Sequence, residues 1–166
     1  MSVPRASAVR CHVHHPDDTV ALEYDARLLR RKRLRAASGV DFMVDLAEVT
    51  HLDHLDAFVL EDGRTIGVSA APEALIRIEG DLPRLAWHIG NRHTPCEVHA
   101  DHLVIRSDHV LHAMLEQLGA TLTEIEGPFT PEGGAYGHGR TFGHEHNHEH
   151  WSADADPKAE ARVSAG

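Results

Sequence analysis

Between residues 74 and 125 the apolar period switches from that of a strand to that of a helix and back, twice, which leaves few folds open. Ala74–Glu79 reads as a strand. Leu82, Leu85, Ala86 and Ile89 then fall at i, i+3, i+4 and i+7, one helical stripe, with Asp81 placed to cap it and Pro83 suited to its first turn. Glu97–Ala100 and Leu103–Arg106 read as two short strands around Asp101-His102. Asp108 caps a second helix, with Val110, Leu111, Met114, Leu115 and Leu118 on its buried side and Gly119 ending it. Thr121–Ile125 supplies a last strand. The order β-α-β-β-α-β predicts a ferredoxin-like sandwich.

Upstream, residues from about 18 to 71 carry no helical period. Extended pieces are expected around Thr19–Leu22 and at Arg33–Ala37, Asp41–Glu48, Ala57–Leu60 and Thr65–Ala70. Ser38-Gly39 and Glu61-Asp62-Gly63 mark turns between them. Ser69-Ala-Ala-Pro72 reads as a joint. From Gly133 onward glycine recurs and the chain cannot bury enough apolar surface to offset its ordering entropy. The expected class is therefore α+β: a small all-β domain over 1–71, a ferredoxin-like domain over 72–142, and a disordered, His-rich tail over 143–166.

Sixteen histidines among 166 residues are far more than packing needs, and imidazole keeps a lone pair free for a metal near neutral pH. The net charge of −10 is uneven: residues 1–40 hold eight Lys and Arg against four Asp and Glu, whereas the remainder holds eight against 22. An acidic majority repels phosphate and argues against nucleic-acid binding by the whole chain. No apolar run suits a membrane span, the first residues lack a signal peptide's apolar stretch, and Cys11 and Cys96 are too few for a disulfide scaffold. A cytoplasmic setting is expected.

The strongest chemical signal is His144-Glu-His146-Asn-His148-Glu-His150, preceded by His138. Alternating imidazoles can fold round one ion, and nickel, copper and zinc are the metals imidazole suits. A solvated polar end is the bland alternative. A second candidate is His93, in His88-Ile-Gly-Asn-Arg-His93-Thr-Pro-Cys96: Gly90 can end the helix and Asn91 tolerates unusual geometry, which would hold His93 on an exposed turn. His93 could equally be a solvated side chain, and Cys96 a small buried hydrophobe. His109, His112 and Glu116 share the outer face of the second helix, as a metal site or a polar face. His12, His14 and His15 beside Cys11 form a further possible cluster, though a frayed terminus explains their polarity. His51, His54, His99 and His102 read as loop or strand residues. Arg27-Leu-Leu-Arg-Arg-Lys-Arg-Leu-Arg35 is either a solvated edge strand or a docking surface for an acidic partner; nucleic acid ranks third, because no aromatic residue is interleaved for stacking. Neither G-x-S-x-G nor G-x-x-x-x-G-K-[ST] occurs, and no enzymatic activity is expected. A small zinc-dependent hydrolase is the enzyme alternative; it would need three fixed ligands round an open position.

Leu85-Ala-Trp-His-Ile-Gly-Asn-Arg-His93-Thr-Pro, Asp108-His-Val-Leu-x-x-Met-Leu-x-x-Leu-Gly119, Phe129-x-Pro-Glu-Gly-Gly-Ala-Tyr-Gly137 and a His-rich end together resemble UreE, the nickel metallochaperone among the urease accessory proteins. Arg27-x-x-Arg-Arg-Lys-x-Leu-Arg and Glu61-Asp-Gly-x-x-x-x-Val-x-Ala-Ala-Pro-Glu73 are similar to it as well. The resemblance implies a partner-docking N-terminal domain and a C-terminal domain that forms a homodimer. It implies that His93 meets its dyad mate in a shared nickel site, that His109 matches a second metal position, and that the tail histidines complete the coordination or concentrate metal. Ser107 stands where some relatives carry a histidine, which weakens a peripheral site there. Ni(II) is the expected metal, with Zn(II) or Cu(II) also able to bind. The expected partners are the urease accessory GTPase and the urease assembly complex. The alternative function is storage or buffering of nickel or zinc without a dedicated recipient.

Overall fold

The computed structural model describes residues 2–134. Six strands build the first sheet: β1 (Arg5–Arg10), β2 (Asp18–Leu22), β3 (Leu28–Arg35), β4 (Asp41–His51), β5 (Ala57–Leu60) and β6 (Thr65–Ala70), in the order β2-β6-β5-β1-β4-β3. Alternation works as expected along β4, where Phe42, Val44 and Leu46 are buried against Phe58, Leu60, Ile66 and Val68. The sheet curls until its two edges meet. Just past β3, the Ala37 amide donates to the Thr19 carbonyl of β2 at 2.7 Å, and the Asp18 carboxylate accepts from the Ser38 hydroxyl. The result is a barrel-like closure that protects both edges.

The N-terminal segment is not frayed. β1 lies inside the sheet, parallel to β4 and antiparallel to β5, and beyond it the Val13 amide donates to the Leu55 carbonyl at 2.8 Å. Of its side chains only Ala6 is fully buried. Its place is fixed by backbone pairing, which leaves little trace in hydropathy.

The second sheet follows the expected connectivity: β7 (Pro72–Glu79), α1 (Leu82–Gly90), β8 (Glu97–Val98), β9 (Leu103–Arg106), α2 (His109–Gln117) and β10 (Thr121–Pro128). The strand order β10-β7-β9-β8, antiparallel throughout, is that of a ferredoxin-like sandwich. Leu85 and Ile89 of α1 and Leu111 and Leu115 of α2 pack on Ile76, Ile78, Leu103 and Ile105. The Asp81 carboxylate accepts from the Arg84 amide at 3.4 Å, and that of Asp108 from the Val110 and Leu111 amides at 2.9 Å each. Val110, expected inside, is 55% exposed. At ~100° per residue it stands about 140° from Leu115, past the margin of the buried stripe. β8 stops at Val98 because the His99 amide donates to the His102 carbonyl and closes a hairpin. β10 outruns its apolar pattern, pairing with β7 as far as Pro128↔Pro72. An edge strand tolerates a proline there.

The two sheets are joined round one turn. Tyr24, beside the short 3-10 turn Asp25–Arg27, packs with Phe129 against Leu75 and Val104. Its amide donates to a Glu73 carboxylate oxygen at 2.8 Å, and Arg106 pairs with Asp25 at 2.8 Å. Arg27, expected on a basic surface strand, is 1% exposed at this junction.

Candidate metal centre

Helix α1 ends at Gly90, as its glycine suggests, but the glycine is not the residue that turns left-handed. The chain stays right-handed through Asn91 (φ −64°), and the left-handed residue is His93 itself, at φ 55°. The Asn91, Arg92 and His93 amides donate to the Trp87, Ile89 and Gly90 carbonyls, so the turn is fully tied to the helix end. A left-handed non-glycine residue costs roughly 1–2 kcal/mol, and such residues concentrate at functional sites. His93 is exposed, as expected, and borders two clefts.

One cleft, of 380 Å³, runs from His93 past Arg106 to Ser107 and Asp108. A neighbouring one, of 260 Å³, continues from Ser107 and Asp108 to His109, His112 and Glu124. The corner between β9 and α2 therefore separates His93 from His109. Between them stands Asp108, held below the usual carboxylate range first by the Leu111 amide, with the Val110 amide and His109 adding to the effect. His109 is exposed at the first position of α2, and His112 Nδ1 lies 3.6 Å from Glu116 Oε2 one turn on, as the helical period predicts. Among the described residues no three His, Cys, Asp or Glu side chains converge to hold an ion. What this surface offers is single imidazoles beside an anionic corner.

The remaining candidates divide clearly. Cys96 is half-buried in the core of the second sheet, and burial pushes its thiol up to about 11, which disfavours the thiolate a metal needs. Cys11 is exposed, and its thiol is also raised, by burial and then by Asp56. His14 and His15 are exposed in the segment between β1 and β2. His51 lies 3.4 Å from Asp53, and His54 Nδ1 accepts from the Ala70 amide at 3.4 Å. The His99 and His102 rings stack at 4.2 Å, each tied to a carboxylate: Glu97 at 2.9 Å and Asp101 at 2.6 Å. These four are the loop and strand residues expected. Exposed arginines of β3 are neutralised locally, Arg31 by Asp45 at 2.8 Å and Arg33 by Asp41 at 2.7 Å. His144, His146, His148 and His150 lie outside the described residues. Residues 144–148 also satisfy the letters H-E-x-x-H, whose zinc chemistry requires a helix carrying both histidines on one face.

Of two residues that read only as strand positions, Arg106 borders the site and Glu97 stands between Cys96 and Val98, which line a His93 cleft. Arg106 lines the His93 cleft while its guanidinium sits 4.9 Å from the centre of the Tyr24 ring. Glu97, which opens β8, is buried and hydrogen-bonded to Thr130. A charge inside an otherwise apolar strand was their only signal in the sequence.

Residues 7–71 match the family model described as the UreE urease accessory protein N-terminal domain, and residues 73–153 the one described as its C-terminal domain. The chain belongs to the UreE family. Urease accessory protein UreE of a Ruegeria species is 58% identical over 146 residues, 85% of this chain and 83% of its own length. That of Ruegeria pomeroyi is 56% identical over 149 residues, 88% of this chain and all of its own. The Paracoccus denitrificans protein is 63% identical over 125 residues, 75% of this chain and 80% of its own. UreE membership makes this chain an accessory protein of urease, with a role in its maturation. No helix among its described residues is long and apolar enough to cross a membrane.

Proposed function

We propose that this UreE-family chain is a cytoplasmic homodimer that carries Ni(II) as cargo and delivers it for assembly of the urease metallocentre. One observation carries the proposal: His93 stands exposed on a strained helix-terminal turn, at a cleft where no two further His, Cys, Asp or Glu ligands converge among the described residues. A single imidazole on an open surface binds an ion well only when other ligands are brought to it. A second copy of the chain would bring the matching His93, and the histidines at 144, 146, 148 and 150 would bring more. Trp87 and Val98, 63% and 51% exposed, lie on α1 and β8 on either side of the His93 turn and give such a dimer apolar surface to bury. His109 would be a second, weaker contact for the ion.

Incomplete coordination favours release. A closed tetrahedral shell holds its ion, whereas paired imidazoles leave positions for a recipient's ligands. The recipient would be the urease assembly complex, approached through the accessory GTPase, with the exposed Arg30 and Lys32 of β3 as a docking surface. Zn(II) and Cu(II) would compete at the same imidazoles. The test is nickel calorimetry combined with sedimentation. His93→Ala should lose a site of one ion per dimer while binding by residues 144–150 persists; unchanged stoichiometry and affinity would defeat the proposal. The sixteen histidines alone favour a second function, nickel or zinc buffering. Capture of urease accessory proteins by nickel-loaded protein separates the two.

A further inference from the structure

We infer that Arg106 sets how readily a divalent ion leaves His93: its fixed positive charge in the His93 cleft weakens the hold on the ion, and Asp25 restrains it. The inference rests on the nickel-delivery function and adds a reason for the cargo to depart.

Charge makes Arg106 unusual. Residues 72–134 carry four arginines and no lysine against ten Asp and Glu, so a cation is scarce in this half. Arg77 lies against Glu79 and Asp101, at 3.2 and 3.6 Å. Arg84 and Arg92 are exposed and line neither of the two clefts that His93 borders. Arg106 alone of the four lines the 380 Å³ cleft with His93, where Asp108 is the one carboxylate. A site built only to retain a divalent cation would be walled by carboxylates and imidazoles. A guanidinium has no lone pair to offer a metal and keeps its charge at every physiological pH.

The N-terminal domain fixes where that charge sits. Arg106 Nη1 meets Asp25 Oδ2 at 2.8 Å, and the guanidinium lies 4.9 Å from the centre of the Tyr24 ring. Both partners belong to the 3-10 turn region that leads into β3. The Asp25 side chain is 80% exposed, so the ion pair contributes little to stability and opens readily. Taken as a sphere, the cleft is roughly 9 Å across, about one Debye length at 0.1 M salt, so the guanidinium and an ion on His93 repel each other across it. Asp25 offsets this twice: its own charge is opposite, and its grip keeps the guanidinium on Tyr24 rather than over the cleft. A recipient whose own cation took Asp25 would free Arg106 and drive the ion off.

The test follows the His93 ring C–H signals of the isotope-labelled full chain during a nickel titration, with His93→Ala assigning them. Their paramagnetic broadening reads occupancy at His93 whatever the other histidines bind. Arg106→Gln should lower the half-saturating nickel concentration about three- to tenfold in about 20 mM salt, and less than about twofold in about 1 M salt. Arg106→Lys keeps the charge and should stay within about twofold of wild type. Asp25→Asn imitates capture of Asp25 by a recipient. It should raise the half-saturating concentration about two- to threefold, and by less in an Arg106→Gln background, where only its own charge is lost. Unchanged or weaker binding in Arg106→Gln would overturn the inference. So would an Arg106→Lys chain that tightens as Arg106→Gln does, because lost packing on Tyr24 would then be the cause. Asp25 is exposed, so Asp25→Asn still decides the matter if Arg106→Gln fails to fold: an unchanged midpoint there overturns the inference. Wild-type His93 signals that nickel leaves untouched would overturn delivery through His93 too; a His93 that fills normally but ignores Arg106 would overturn this inference alone.

Discussion

Arg27 Nη2 donates to the carbonyl oxygen of Phe129 across 2.5 Å of space and 102 positions of sequence. Both residues are sealed from solvent, at 1% and 0% exposure, and the Tyr24 ring contacts both: its centre lies 5.5 Å from that of Phe129 and 5.3 Å from the guanidinium. One side chain of the first sheet thereby holds the start of the segment that leads to His93. The first sheet and the segment leading to the His93 cleft share this contact.

Replacing Arg27 should reveal how much of the fold depends on it. Arg27→Ala removes a charged donor, leaves the Phe129 carbonyl buried without that partner and opens a cavity, for a loss of about 3 kcal/mol in denaturant unfolding. Arg27→Met refills the volume. It also removes the Nε group, which finds no hydrogen-bond partner among the described residues, and should cost about half as much. Equal losses would show that charge rather than packing dominates the junction.

Asp108 caps α2 and is the anionic corner between His93 and His109. Its folded pKa is lowered, chiefly by the Leu111 amide, so its contribution is present above the unfolded value of about 3.9 and disappears as pH falls through the folded one. Asp108→Ala should lower the midpoint of thermal unfolding at pH 7 by about 4 °C, and Asp108→Asn by less, since asparagine also caps. The difference between wild type and Asp108→Ala should shrink progressively in scans taken below pH 4.

The ferredoxin-like half is legible because independent local signals agree. Asp81 and Asp108 cap, Gly119 stops (φ 82°), and the periods in between match the elements. β1 is hidden because its Arg, Ala and Ser side chains carry no bulky alternation; a partner strand, not hydropathy, holds it. The basic run suggests six surface charges. Its first member is buried because Phe129, far away in sequence, supplies the acceptor. At the site, His93 is identifiable as an exposed turn residue, but not as the left-handed one, because the right-handed turn that follows α1 carries the chain past Gly90 before the backbone reverses.

The two thiols should react in a fixed order. Burial lifts Cys96 to about 11, while Cys11 is exposed and raised less far. Iodoacetamide at pH 8.5 should label Cys11 at least tenfold faster in the native protein, read by peptide mass spectrometry. Because the folded pKa of Cys96 lies above its unfolded value of 9.0, the neutral thiol's contribution to stability is intact below pH 9 and is lost as pH rises through 11. Cys96→Ser should remove that part of the alkaline destabilisation.

His93→Gly separates strain from ligation. At φ 55° a histidine is held where glycine rests without cost, so the substitution should stabilise the metal-free protein by about 1 kcal/mol in denaturant unfolding. His93→Ala keeps the strain and should be neutral within about 0.5 kcal/mol, because the side chain is exposed. Both should lose the proposed dimer-linked nickel site equally, since neither keeps the imidazole. A gain in stability together with loss of the site would mean that the turn holds a strained residue because the metal requires an imidazole there. If glycine and alanine instead gave the same stability, the left-handed geometry would carry no strain, and His93 would sit at position 93 for its ring alone.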